Sequence, residues 1–179
     1  MSKYRPYFHA KIYKYIEYVN QGLIIPTTFA EGKTIYNKEV ADLITLGHQV
    51  IFCSYNGGFD TSALGRTARL LNIEKYLDIK LKLFCIWEFW SRNCPRHYTA
   101  KRTKSGKYFS TSAEDVYKFE FNDPNFIEEH IAFKDVEIEI AIAKKVLARD
   151  KRPPLVNTLK ELRKFIPEIS HKRINHVPT

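Results

Sequence analysis

Two stretches of the chain carry residue types that can do chemistry. In EEHIAFKDVEIEIAIAKKVL, residues 128–147, His130 precedes Asp135 by five positions and a strongly apolar helical pattern follows at once. In SYNGGFDTSAL, residues 54–64, a short apolar run ends and Asp60 stands at the start of the next helical pattern. An imidazole titrates near neutrality and so exchanges protons under ordinary conditions. Carboxylates are hard oxygen donors suited to divalent cations. Each stretch also has a plainer reading, because an acid in the first turn of a helix is stabilised by the macrodipole without any further role. Polar residues at the mouth of a buried helix are therefore either caps or chemistry, and chemistry needs partners from elsewhere in the chain.

The elements that must position these residues follow from periodicity and punctuation. Residues 7–30 read as two β-branched and aromatic runs separated by VNQG, the pattern of a hairpin. TIYNKEVADLITLG sets Ile35, Val40, Leu43, Ile44 and Leu46 on a broad helical face, with Gly47 suited to its C-terminal end. QVIFCSYN suits a buried strand, and GGFDTSALGRTARLLN fits a helix through Phe59, Ala63, Leu64, Ala68 and Leu71. KLKLFCIWEFW, residues 80–90, is apolar and aromatic; periodicity does not separate strand from helix, and its content leans to strand. Thr111 and Glu114 make a capping-box pattern before the helix AEDVYKFEF, which Asp123-Pro124 ends. A last helix begins near Ala132, with Val136, Ile140, Ala143 and Leu147 on one stripe and Ile138, Ile142 and Val146 on the next, so that a wide face is buried. After Arg149 the prolines and basic residues change the character, dividing the chain into a domain over 1–148 and a basic appendage over 149–179.

Bulk composition narrows the classes. The 179 residues, 44% of them hydrophobic, are enough for one domain with a real core. A net charge of +9 favours a polyanionic partner, nucleic acid before a membrane surface. Eleven tyrosines and twelve phenylalanines include candidates for base stacking, although most belong to a core. Cys53, Cys85 and Cys94 are odd in number and irregularly spaced, which argues against a disulfide framework and for a reducing, cytoplasmic compartment. No CxxC pair is present to build a zinc site from Cys85, Cys94 and His97. No apolar run approaches the roughly 20 residues that span a bilayer.

Taken together and in this order, NGGFD and EEHIAFKDVEIE resemble the second and third motifs of the DnaQ-like, DEDDh-type 3′–5′ exonucleases of the ribonuclease H-like superfamily. The second motif is similar to H-N-x-x-F-D, matched by Tyr55, Asn56, Phe59 and Asp60 with tyrosine in place of the common histidine; the third is H-x-x-x-x-D, matched by His130 and Asp135. The resemblance spans roughly residues 7–147 and implies an α/β ribonuclease H-like fold, a mixed sheet flanked by helices. It also implies phosphodiester hydrolysis at nucleic-acid 3′ ends with two Mg²⁺ or Mn²⁺ ions. On that resemblance Asp60 and Asp135 are metal ligands, His130 is the general base, and Asn56, Phe59 and Tyr55 position the terminal nucleotide. A bacteriophage setting is a further implication.

The family's first motif, D-x-E on a first central strand, has no match here. The acids before Asp42 are only Glu17, Glu31 and Glu39, and Glu17 reads as a solvent-facing side chain. The chain is thus expected to begin after the place of that strand, to lack two of four carboxylates, and to expose a sheet edge that a complementing polypeptide or a second copy could pair. The alternative reading is an inactive exonuclease-fold module that binds nucleic acid or a polymerase partner. The acid-free stretch 91–110 carries Arg92, Arg96, Lys101, Arg102, Lys104 and Lys107 with Tyr98, Tyr108 and Phe109, suited to tracking a single strand or simply to solvation. Arg149, Lys151, Arg152, Lys172 and Arg173 form a similar basic arm.

Overall fold

A computed structural model describes residues 6–74, 76, 78–106, 108–150 and 155–157. Most of the expected basic arm and of the appendage over 149–179 lies outside the described residues, as does Lys107. In chain order the elements are α1 (Pro6–Asn20), α2 (Phe29–Thr45), β1 (Ile51–Ser54), α3 (Gly57–Leu70), β2 (Lys82–Cys85), α4 (Ile86–Arg92), α5 (Ala113–Phe121) and α6 (Ala132–Arg149). Among the described residues the architecture is mixed α/β. β1 and β2 pair in parallel with Ile51 opposite Lys82 and Ser54 opposite Cys85, joined through α3 as a βαβ unit. Leu83 and Val156 exchange backbone bonds of 2.7 and 3.0 Å, so residues just past Arg149 return to the far edge of β2.

The core lies between this small sheet and α4, α5 and α6. Trp90, Phe89, Ile86, Val116, Ile142 and Val146 are fully enclosed. α6 does not bury both expected stripes: Ile138, Ile142 and Val146 face inward, whereas Val136 and Ile140 remain about half exposed. Ala143 and Leu147 of the first stripe pack partly against the core, so its exposure is confined to the N-terminal half of α6. Polar groups around this core are tied down: the Trp90 indole donates to Glu120, which also accepts from Arg149, and Glu88 pairs with Arg92 one turn on.

Three expectations fail, each for a physical reason. The hairpin over 7–30 is the helix α1 followed by a turn at Gly22, whose φ is +71°. Its β-branched and aromatic content imitates a strand, but such content describes fit to a pleated surface, and the sheet offers no partner there. Ile12, Ile16 and Val19 are in fact spaced as a helix requires. Residues 80–90 are neither one strand nor one helix: β2 ends at Cys85 and α4 starts at Ile86. The cap of α5 is Ser112, whose hydroxyl accepts from the Asp115 N–H at 3.2 Å, one residue later than expected. Thr111 instead accepts from the Trp87 indole at 2.9 Å, because the core claims its side chain.

α2 covers the expected helical segment but starts earlier, at Phe29 inside the expected hairpin, where Thr28 with Glu31 forms its capping box. Its anticipated apolar face, however, is largely open: Val40 is buried but Ile35, Leu43, Ile44 and Leu46 are exposed. α2 meets chiefly the segment around Tyr76, through Phe29, Tyr36 and two Asn37 side-chain bonds. α1 packs elsewhere, its Tyr15 and Tyr18 lying against the start of α6.

Candidate carboxylate and histidine site

The C-terminal end of β1 is where the chemistry-bearing residues gather. Ser54 and Tyr55 leave the strand and Asn56 begins α3, which sets Asp60 in its first turn. The Tyr55 backbone N–H, one of the groups a strand end leaves without a ladder partner, donates to Glu139 Oε2 at 3.1 Å. Glu139 lies on α6 four residues after Asp135, one turn further along the same face. A strand end, the start of one helix and the middle of another thus bring Asp60, Asp135 and Glu139 into one electrostatic neighbourhood, which Glu128 joins from the segment before α6.

The crowding has a measurable signature. Burial foremost pushes the Glu139 carboxyl up to about 7, with the nearby charges of Asp60, Asp135 and Glu128 acting in the same direction against the Tyr55 hydrogen bond. Burial also raises Asp60, partly offset by the Ser54 hydroxyl, which lies beside it without reaching hydrogen-bond geometry. Asp135 is raised by burial, while His130, Lys11 and the Glu128 carboxyl oppose the rise. Glu128 is raised by burial and by Asp135 and Glu114, with His130 opposing. One atom stands out: Asp135 Oδ1 is buried with no hydrogen-bond partner. A carboxylate oxygen withdrawn from water and left unpaired costs about 1–3 kcal/mol, or more if charged.

Acids other than the two read from the sequence share this neighbourhood. Glu139 and Glu128 stand beside Asp60 and Asp135, and Glu114 reaches the same region from the first turn of α5. Among the described residues, the potential ligand atoms that all lie within 4.8 Å of one another belong to Glu114, Glu128 and His130, whereas Asp60, Asp135 and Glu139 are coupled to them and to each other through charge. Glu139 had a sequence signal, the i, i+4 spacing from Asp135 on an amphipathic helix. Glu114 had none, since only the packing of α5 on α6 carries it there. Glu17 lies away from the site, exposed on α1 and accepting from Gln21.

The other expected site residues divide into rim, core and loop. His130 sits just before α6 in the left-handed region, φ +55°, with Nδ1 3.5 Å from Glu128 Oε2. Asn56 is exposed and makes no capping bond, and Phe59 is 70% exposed, so both stand at the rim. Tyr55 is a core residue: its ring is buried and its hydroxyl donates to the Thr111 carbonyl at 2.8 Å. Arg96, Lys101, Arg102 and Lys104 are all exposed. Lys101 lies 3.5 Å from buried Asp115, and Arg102 stacks over Phe109 at 4.2 Å. Tyr98, expected as a stacking surface, is buried against Trp90 and anchors the loop rather than facing outward.

α1 closes one side of the site. The Tyr15 hydroxyl accepts from the Ala132 N–H at 3.4 Å, the Tyr18 hydroxyl donates to Glu129 at 3.1 Å, and Lys11 lies near enough to Asp135 to oppose its rise. These three residues occupy one helical face, which a strand could not have presented. No protein family, curated protein or solved structure matches the chain.

Proposed function

We propose that this chain is a metal-dependent 3′–5′ exonuclease of the DnaQ-like, ribonuclease H-like type, acting on DNA or RNA 3′ ends. The observation that carries this reading is that Asp60, Asp135 and Glu139 share one electrostatic neighbourhood beside the C-terminal end of β1, where Glu139 accepts from the Tyr55 N–H and Asp135 carries a buried oxygen without a hydrogen-bond partner. Asp60, Asp135 and Glu139 would hold Mg²⁺ or Mn²⁺. Bound there, the ions supply an activated water and stabilise charge on the leaving 3′ oxygen. His130, partly exposed beside Glu128, accepts the proton of the attacking water. Asn56 and Phe59 at the rim meet the terminal nucleotide, Phe59 by stacking, and Arg96, Lys101, Arg102 and Lys104 track the phosphates. Three unpaired cysteines fit a cytoplasmic setting, and no helix among the described residues is long and apolar enough to cross a membrane.

The test is release of mononucleotides from a 3′-labelled oligonucleotide with Mn²⁺, with Asp60→Ala, Glu139→Gln and His130→Ala alongside. The reading expects each variant to lose at least a hundredfold in rate; wild-type turnover no faster than Asp60→Ala refutes it.

A second reading keeps the fold and moves the missing acids to another polypeptide, leaving this chain alone as a binding module. Two observations favour it: among the described residues β1 has a ladder neighbour only on the β2 side, and apolar residues are exposed on α1 (Ile12, Tyr13, Ile16) and, separately, on α2 (Ile35, Leu43, Ile44). An added strand with an acidic pair would complete both sheet and site. Protection of the Ile51–Ser54 amides from hydrogen exchange by a partner would support this reading, and full activity of the isolated chain would exclude it.

A further inference from the structure

The exonuclease reading leaves Glu114 and Glu128 without a role, yet they are built into the same wall as His130. Glu114 stands in the first turn of α5, while Glu128 and His130 lie in the segment entering α6. One potential ligand atom from each comes within 4.8 Å of the other two. The arrangement is held from behind: Lys118 Nζ donates to Glu114 Oε1 at 2.5 Å, and the Glu128 N–H lies near enough to the Glu114 carboxylate to favour its charged form. The Glu128 side chain is only 11% exposed, so its charge is not simply solvated. The Glu128 carboxylate, nearly withdrawn from water, stands among the like charges of Glu114 and Asp135, a crowding that a bound cation relieves.

We infer that Glu114, Glu128 and His130 form a second metal site, separate from the Asp60–Asp135–Glu139 set and selective for a borderline divalent ion of the Zn²⁺ type. The selectivity follows from the imidazole. A nitrogen donor beside two carboxylates suits zinc, whereas Mg²⁺ prefers oxygen throughout and retains its waters. Three protein ligands leave a fourth position for water. Lys118 behind Glu114 acts as an outer partner that orients the carboxylate, as hydrogen-bonding groups do around metal ligands generally. Metal binding here does not depend on the hydrolytic reading. Where that reading holds, an ion on the imidazole nitrogen prevents it from accepting a proton, so occupancy withdraws His130 from catalysis and Zn²⁺ inhibits.

The test uses the full chain, stripped of metal and titrated with Zn²⁺ by calorimetry and with Co²⁺ by visible absorption, which reports nitrogen and oxygen coordination directly. Wild type is expected to take one equivalent at this site. Glu114→Gln and His130→Asn should each weaken Zn²⁺ binding at least tenfold and abolish the Co²⁺ band. Asparagine is chosen because it tolerates the left-handed backbone that His130 occupies. Asp60→Asn should keep both signals within about twofold. Thermal unfolding of each variant confirms that it is folded. The inference is overturned if wild type takes up no Zn²⁺, if both ligand variants bind like wild type, or if Asp60→Asn loses the site; failure of the nuclease assay alone leaves the binding result standing.

Discussion

Replacing Glu139 with glutamine removes a charge that the fold does not favour while keeping the oxygen that accepts from the Tyr55 N–H at 3.1 Å. The Glu139 carboxyl stands at about 7 in the folded chain against an ordinary value of 4.5. A folded-state value above the unfolded one means that its stabilising contribution is fully present below pH 4.5 and is lost as pH rises through about 7. Full conversion of that elevation gives about 3 kcal/mol, and partial exposure with solvent screening reduces it to ~1–2 kcal/mol. In the absence of divalent ions Glu139→Gln should therefore match wild type near pH 4 and exceed it by ~1–2 kcal/mol at pH 8, or ~3–6 °C in midpoint for a chain of this size. Adding Mn²⁺ should reverse the order, because a cation binds the charged carboxylate and stabilises the state that holds it. The assay is thermal unfolding from pH 4 to 8 in chelator and in Mn²⁺, read as the difference between the two proteins. Asp60, Asp135 and Glu128 are raised as well, so wild type keeps a residual slope that the comparison cancels. A difference that does not change with pH, or a glutamine variant less stable at pH 8 in chelator, refutes the reasoning.

Two further predictions concern the scaffold. Ile142→Ala, at a fully buried position of α6, should cost ~2–5 kcal/mol in urea unfolding, whereas Ile140→Ala two residues earlier on the open face should stay within about 0.5 kcal/mol; equal costs would show that the wide face is covered in solution. His130→Gly should be more stable than His130→Ala by ~1 kcal/mol, since both lose the imidazole but only alanine pays for φ +55° with a Cβ; the opposite order, normal in a helix, would remove His130 from the left-handed region.

The elements most legible in the sequence are those whose signals are local. α3 and α6 carry long helical periodicities, β1 is a short apolar run bounded by turn residues, and Gly47 at φ +85° ends the α2 region where a glycine is needed. α1 and the segment 80–90 are not legible from local signals, because aromatic and β-branched residues fit either structure and the choice depends on what lies opposite. The cap of α5 slipped by one residue for a related reason: Thr111 and Ser112 are equivalent as local hydrogen-bond acceptors, and the Trp87 indole takes one of them.

The same division holds at the site. His130, Asp135 and Asp60 are visible in the sequence because their spacing is preserved by the helices that carry them. Glu139 is visible only by treating α6 as a wheel, which places it one turn above Asp135. That the charge of Asp60 reaches Glu139, and that Glu114 meets Glu128 and His130, follows from the Tyr55 end of β1 bonding α6 and from α5 packing beside it. Residues far apart in sequence have no local term that couples them; their proximity is the product of core packing around Trp90, Val116 and Ile142. The sequence by itself thus determined which residues are equipped for chemistry, and the tertiary structure decided which of them share a field, because electrostatic coupling depends on distance through space.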